Sequence, residues 1–169
     1  GFWPMLIQRP FGVIADTAAT PKAIFVSGLD TAPLAPDLSF LVQDQGDYII
    51  AGLEVLKKLT DGKVHLTVGT DTTAGVLSRI KQAEVHHIEG PHPAGNVGVQ
   101  IAQIDPIGKG DAVWTVELQH VVMIGRLFLT GAVDMSKVVA LTGSEVTKPH
   151  YFKVVSGALI GSVTEGNLR

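Results

Sequence analysis

Three histidines lie close together in this chain, His86 and His87 in "EVHHIEG" and His92 in "EGPHPAGNVG" (Glu89–Gly98). Clustered imidazoles suggest a metal centre. On a strand, however, successive side chains point to opposite faces, so His86 and His87 cannot share one ion, and His92 would have to fold back onto one of them. No Asp/Glu–His pairing at helical spacing supports a site. The expectation is surface or loop-tip histidines and no metal site. The same stretch carries Gly90, Gly95 and Gly98, which raises a second chemistry, a phosphate cradle. A dinucleotide loop needs G-x-G-x-x-G directly after the first strand, and these glycines follow the third candidate strand with the wrong spacing. There is no G-x-x-x-x-G-K-[ST] either. Backbone amides at Ala94–Val97 can hold an anion if they open a helix. A rigid turn set by Pro91 and Pro93 is the simpler reading.

Nucleophiles offer little. There is no cysteine, which removes thiol catalysis, disulfides, cysteine-ligated clusters and Cys-type zinc. There is no G-x-S-x-G elbow. Ser27 follows a strand, but no base for it can be identified. Asp30 lies just beyond the same strand, where open α/β sheets place ligands. It can contact a ligand hydroxyl or a cation, or cap the next segment. Trp114 and the stripe Val122, Leu127, Leu129 read as core. No catalytic residues emerge.

The elements that must position these residues alternate. Residues 1–21 look irregular, because Pro4, Pro10 and Pro21 interrupt any periodic pattern. "AIFVSG" (Ala23–Gly28) reads as a buried parallel strand. Asp37 to about Leu59 is helical in pattern, divided at Gly46, with Asp47 as N-cap of the second part and Ile49, Ile50, Leu53, Leu56 and Leu59 as its apolar stripe. Strands follow at Lys63–Gly69, Glu84–Gly90, Ala112–Leu118 and Ser136–Gly143. Asp71–Ala83 reads as a capped helix with Leu77 and Ile80 inward, and Gln119–Gly131 as a helix ended by glycine. Asn96–Ile104 fits a short helix or a strand. The alternation predicts an α/β fold: an open, mostly parallel, doubly wound, Rossmann-like sheet. The pattern changes after Gly143, so residues 1–145 are expected as the α/β domain and 146–169 as the beginning of a different module.

The totals agree. Apolar residues make up 46% of the chain, enough for a core, and the net charge of −3 offers no basic field for nucleic acid. No apolar run approaches the ~18 residues needed to span a bilayer. The start at Gly1 suggests a processed chain or a piece of a larger one.

Read as words, the chain resembles the A-type subunit of the bacterial Na⁺-translocating NADH:quinone oxidoreductase. The resemblance rests on "RPFG", "AIFVSGLDTAPLAPD", "AGLEVLKKLTDGKV", "EGPHPAGNVG", "IGRLFLTG", "VVALTG" and "TKPHYFKV", in the family's order and over nearly the whole chain. It implies that the chain is the Rossmann-like middle of that subunit with the first part of a β-grasp-like module. Related respiratory subunits hold flavin in a glycine-rich loop before the first strand. The corresponding "GFWPMLIQRPFG" has Trp3, Met5, Leu6 and Ile7 there, which removes the reason for glycine. The resemblance thus implies a sheet that has lost its cofactor. Flavin and NADH belong to other subunits, and quinone is the substrate of the complex. A flavin- or NADH-binding domain that kept its cofactor is the alternative. Partners would be the other subunits, with indirect, peripheral attachment to the cytoplasmic side of the inner membrane. A quinone slot wants apolar walls and a few donors, for which Trp3, Arg9, Phe11, Asp30, His92 and Gly95 are the candidates.

Overall fold

The computed structural model describes residues 1–72 and 75–169. The first residues are not irregular. Trp3–Met5 forms a 3-10 turn, followed by β1 (Ile7–Arg9) and β2 (Val13–Ile14), which pair as an antiparallel hairpin. Leu6 and Ala15 are buried beneath it, and the Trp3 indole N–H donates to the Ala15 carbonyl at 2.8 Å. The prolines punctuate these short pieces without preventing them.

Four parallel strands follow: β3 (Ala23–Ser27), β4 (Lys63–Gly69), β5 (Glu84–Ile88) and β6 (Val113–Glu117). The six-stranded sheet runs β2-β1-β6-β3-β4-β5, with β1 antiparallel to β6. It is the expected open, mostly parallel α/β sheet. Ala23, Ile24, Phe25 and Val26 have no exposed surface, as expected of a strand covered on both faces.

One face is covered by α1 (Leu38–Leu41), α2 (Gly46–Lys57) and α4 (Leu118–Thr130), which share a large core with Ile24, Val26, Leu66 and Trp114. The other carries α3 (Val97–Ile104), whose Ile101 packs on Ala23, Phe25 and Val113. Asp37 caps α1 by accepting the amides of Ser39 and Phe40. Gly46 does divide the helical segment, but Gln45 is the N-cap of α2 and Asp47 lies inside its first turn. Ile49, Leu53 and Leu56 are fully buried, whereas Ile50, one residue round the helix, faces solvent. α4 ends at Gly131 with φ +71°, whose N–H reaches the Leu127 carbonyl.

Two further expectations fail. The capped helix at Asp71–Ala83 is only a 3-10 turn over Leu77–Arg79, with Leu77 and Ile80 buried as expected. Gly75 has φ +85°, a conformation no α-helix admits, and Thr73 and Ala74 lie outside the described residues. The strand expected at Ser136–Gly143, β7 (Ser136–Leu141), does not join the parallel sheet. It pairs antiparallel with β8 (His150–Val155), and the short helix α5 (Gly161–Thr164) follows. The edge of β6 that β7 would need is already taken by β1.

Candidate functional site

The chain adds β4 and β5 on one side of β3, then returns to lay β6 on the other. The crevice outside the carboxyl ends of β3 and β6 is the switch point at which open α/β sheets bind ligands. A cleft of about 1140 Å³ opens there. Its apolar wall includes Pro4, Met5 and Ile7 from the N-terminal turn and β1, Leu29 and Leu38 after β3, and Leu118 at the start of α4. Its polar rim carries Arg9, Asp30, Glu117, Gln119, His120 and Lys137.

The loops of the cleft hold each other. The Gly95 N–H donates to Thr31 Oγ1 at 2.8 Å. A Cβ at Gly95 would lie 2.8 Å from that oxygen and 3.0 Å from the Asp30 carbonyl carbon, so only glycine lets the loops approach this closely. Gln100, fully buried at the base of α3, bridges the assembly. Its amide nitrogen donates to the carbonyls of Ala94 and Gly95, and its oxygen accepts from Thr67 Oγ1 at 2.8 Å. Asp30 Oδ1 accepts the Ala32 amide and so caps its own turn. The amides of Ala94 and Asn96 bond the carbonyls of Pro91 and Pro93. With Gly95 bonded to Thr31, three of the four amides considered as an anion cradle are already used, two of them within the turn.

The charges of the rim balance. Arg9 reaches over the first turn of α3, its Nη2 3.1 Å from where a Gly98 Cβ would stand. Arg9 and Lys137 face Asp30 and Glu117, so the cleft has no net field to attract a pyrophosphate. His120 is held below the usual imidazole range by burial, against the opposing pull of Glu117 3.7 Å away. Its Nδ1 has no hydrogen-bond partner among the described residues. Gln119 imitates a strand, donating to the Val138 carbonyl and accepting the Val138 amide, and so fixes β7 at the rim with Lys137. The site offers apolar walls with hydrogen-bonding groups at its rim.

Of the residues singled out in the sequence, Arg9, Asp30 and Gly95 line this cleft. Trp3 does not. It packs edge-on to Trp114, ring centres 5.4 Å apart. Phe11 is 79% exposed at the tip of the β1–β2 hairpin. His92 is exposed, with Nδ1 3.4 Å from Thr31 Oγ1. Sequence reasoning missed His120, Gln119 and Lys137. The signal for the first two was available, because "VELQH" is the strand-to-helix junction after β6, the other half of the switch point. Lys137 had none, because the docking of β7 is a tertiary event. The histidines also differ from expectation. His87 is exposed, but His86 meets His65 of the neighbouring strand, Nε2 to Nδ1 at 2.9 Å.

Comparison with known proteins gives a consistent picture. Residues 1–133 match the family model described as NqrA second alpha/beta domain, and residues 138–169 that described as NQRA C-terminal domain. The A-type subunit of the Na(+)-translocating NADH-quinone reductase of Neisseria meningitidis serogroup B is 41% identical over 99% of this chain and 37% of its own length. Its counterpart of the same name from Pasteurella multocida is 38% identical over the whole chain and 38% of its own length. The chain therefore spans little more than a third of these relatives. Among solved structures, that of an NAD+-reducing [NiFe]-hydrogenase superposes with a TM-score of 0.62 at 11% identity, covering 89% of this chain and 33% of the hydrogenase chain. That likeness bears on the fold alone. Among the described residues no helix is long and apolar enough to cross a membrane. With a family model matched across the whole six-stranded sheet, the chain belongs to the NqrA family, residues 1–133 matching its second alpha/beta domain and residues 138–169 its C-terminal domain.

Proposed function

We propose that this chain is a flavin-free part of the Na⁺-translocating NADH:quinone reductase, and that its cleft serves quinone association. The cleft itself supports this most. It stands where a Rossmann-like sheet holds its cofactor, yet Pro4, Met5 and Ile7 form the wall where a flavin phosphate would need bare backbone. The turn's own bonds use the amides at Ala94 and Asn96, Thr31 takes that of Gly95, and the rim charges cancel. A quinone head needs apolar walls and donors to its two carbonyl oxygens, which Arg9, Gln119 and Lys137 can supply. His120, held below the usual imidazole range by burial and with no hydrogen-bond partner for its Nδ1 among the described residues, is placed to exchange a proton at such an oxygen. Flavin and NADH are then carried by other subunits. Those subunits are this chain's partners and its link to the cytoplasmic side of the membrane. The names of its relatives, each one subunit of a Na(+)-translocating NADH-quinone reductase, support that place in a complex.

The test is a titration of the protein with a short-chain quinone, FMN and NADH, followed by tryptophan fluorescence and thermal shift. A ligand of the native state at ~100 times its dissociation constant adds about 2.7 kcal/mol. Saturable stabilisation by the quinone, weakened in Arg9→Ala and His120→Ala, is expected, with FMN and NADH silent. Stabilisation by FMN or NADH instead would replace this reading with that of a retained flavin or nucleotide domain, for which the switch-point position is the supporting observation.

A further inference from the structure

We propose that His65, Glu84 and His86 form a binding site for a first-row divalent transition cation, of which Zn²⁺ is the representative occupant. This site lies on β4 and β5, does not involve the cleft, and stands or falls independently of the quinone reading.

The geometry comes from the sheet. Phe25, His65 and Glu84 are register partners across β3, β4 and β5, and His86 follows Glu84 by two residues on the same face. One ligand atom from each of His65, Glu84 and His86 lies within 4.8 Å of the others. His65 Nδ1 is 2.9 Å from His86 Nε2 and 3.8 Å from Glu84 Oε2. Two donors bound at ~2.0–2.2 Å to one ion stand about 3–3.5 Å apart, so small side-chain rotations suffice to close the set. His65 is only 3% exposed and its ring packs on Phe25, with centres 4.5 Å apart, so it is a fixed anchor. Its Nε2 has no hydrogen-bond partner among the described residues, so the ring's polar contacts are directed at His86 and Glu84. Burial and the neighbouring His86 keep His65 below the usual imidazole range, which leaves a lone pair available at neutral pH.

A hydrogen bond between two imidazoles satisfies one pair of nitrogens and leaves Glu84 beyond hydrogen-bonding distance of His65. A cation between the three groups contacts all of them. The proton shared by His65 Nδ1 and His86 Nε2 must then move to the far nitrogen of its own ring, so no net proton is released. Lys63 Nζ holds Glu84 at 2.8 Å. Its side chain is 69% exposed and can swing aside. The donor set of two nitrogens and one oxygen suits zinc and its neighbours and disfavours calcium and magnesium, which take oxygen. Three protein ligands leave an open position on the solvent side. Because β5 is the outermost strand, a bound ion would staple it to β4.

The test uses the protein stripped of metal with a chelator and titrated with Zn²⁺ by calorimetry and thermal shift. Co²⁺ absorption then reads the coordination geometry. One equivalent of Zn²⁺ is expected at micromolar free metal, with a rise in Tm. His86→Ala and Glu84→Gln should each weaken binding by at least ~10-fold, the loss seen even for residues that only support a ligand. His87→Ala, on the opposite face, should bind as the native protein does. Glu84 is exposed, so its variant keeps the fold and guards against misreading an unfolded His86 variant. Absence of saturable binding at micromolar zinc overturns the proposal. Binding unchanged in both His86→Ala and Glu84→Gln overturns it as well.

Discussion

Replacing Gly125 with alanine sets two effects against each other, and the structure says which wins. Gly125 lies mid-way along α4, where it meets Gly52 of α2. In an exposed helix alanine is preferred to glycine by about 1 kcal/mol, so propensity alone makes the variant more stable. A Cβ at Gly125, however, would overlap the Tyr48 carbonyl oxygen and stand 2.7 Å from both the Tyr48 carbonyl carbon and the Gly52 nitrogen. These are backbone atoms of the opposing helix and cannot rotate away. Relief requires α2 and α4 to separate, which loosens Ile49, Leu53 and Val121, all without exposed surface. Overpacking of this kind costs about 1–3 kcal/mol, and partial exposure of one such side chain adds about 1 kcal/mol more. After subtracting the propensity gain, the expected loss is roughly 1–3 kcal/mol, or a fall in Tm of about 2–12 °C for a domain of this size. Thermal and urea denaturation followed by circular dichroism measure it. Gly52→Ala should act in the same direction, because its Cβ would meet Val121 in the same crossing. The double variant should lose less than the sum of the two, since one separation of the helices relieves both. Gly161→Ala, where a Cβ meets nothing within 4 Å, is the control and should change little. A Gly125→Ala protein as stable as the native one, or more so, would refute the reasoning.

Three further outcomes follow from the same contacts. Gln100→Leu leaves the Ala94 and Gly95 carbonyls and Thr67 without their partner in a buried place, and should cost about 1–3 kcal/mol in urea denaturation, with weaker quinone stabilisation because the Gly95 loop is loosened. His65 and His120 are both held below the usual imidazole range by burial, so each folds neutral while the unfolded chain takes up protons near pH ~6.5. Stability should therefore fall as the pH drops below about 6.5, and a shallower slope is expected in His120→Leu, read from Tm against pH. The Asp134 carboxyl is held below its usual range first by its hydrogen bonds with Ser136 and then by Arg126. Its contribution is present above the ordinary carboxylate range and lost as the pH falls below about 4, and Arg126→Met should retain part of that acid sensitivity because Ser136 remains.

Strand-forming words were legible where hydrogen bonding and burial agree with local pattern. "AIFVS" and "KVHLTVG" became β3 and β4 because short apolar runs ending in glycine have few other uses in an alternating chain. The Asp71–Ala83 segment misled because its capping residue and apolar spacing outweighed one glycine in the reading, whereas Gly75 at positive φ decides the backbone. β1 and β2 were invisible for the opposite reason. Each is too short to show a period, and β1 exists by pairing with β6, more than a hundred residues away in the chain.

The same distinction governs the two sites. The cleft was half legible, since the switch-point rule locates a crevice from strand order alone, and Asp30 sits at the end of the first parallel strand. What the rule does not give is which loops the crevice recruits. Gly95 enters because Thr31 accepts its amide, and Lys137 because Gln119 binds the backbone of β7. The His65–Glu84–His86 cluster was illegible while histidines were compared only with their neighbours in sequence. Within β5 the alternation correctly separates His86 from His87, and that correct step hid the third partner. The missing fact was lateral. Once β4 and β5 are known to be parallel neighbours, with His65 opposite Glu84, the E-x-H pair on one strand and the histidine on the next must share a face. A sheet places its chemistry along register lines that run across strands, so a motif search confined to windows of sequence finds only the part of such a site that lies on one strand.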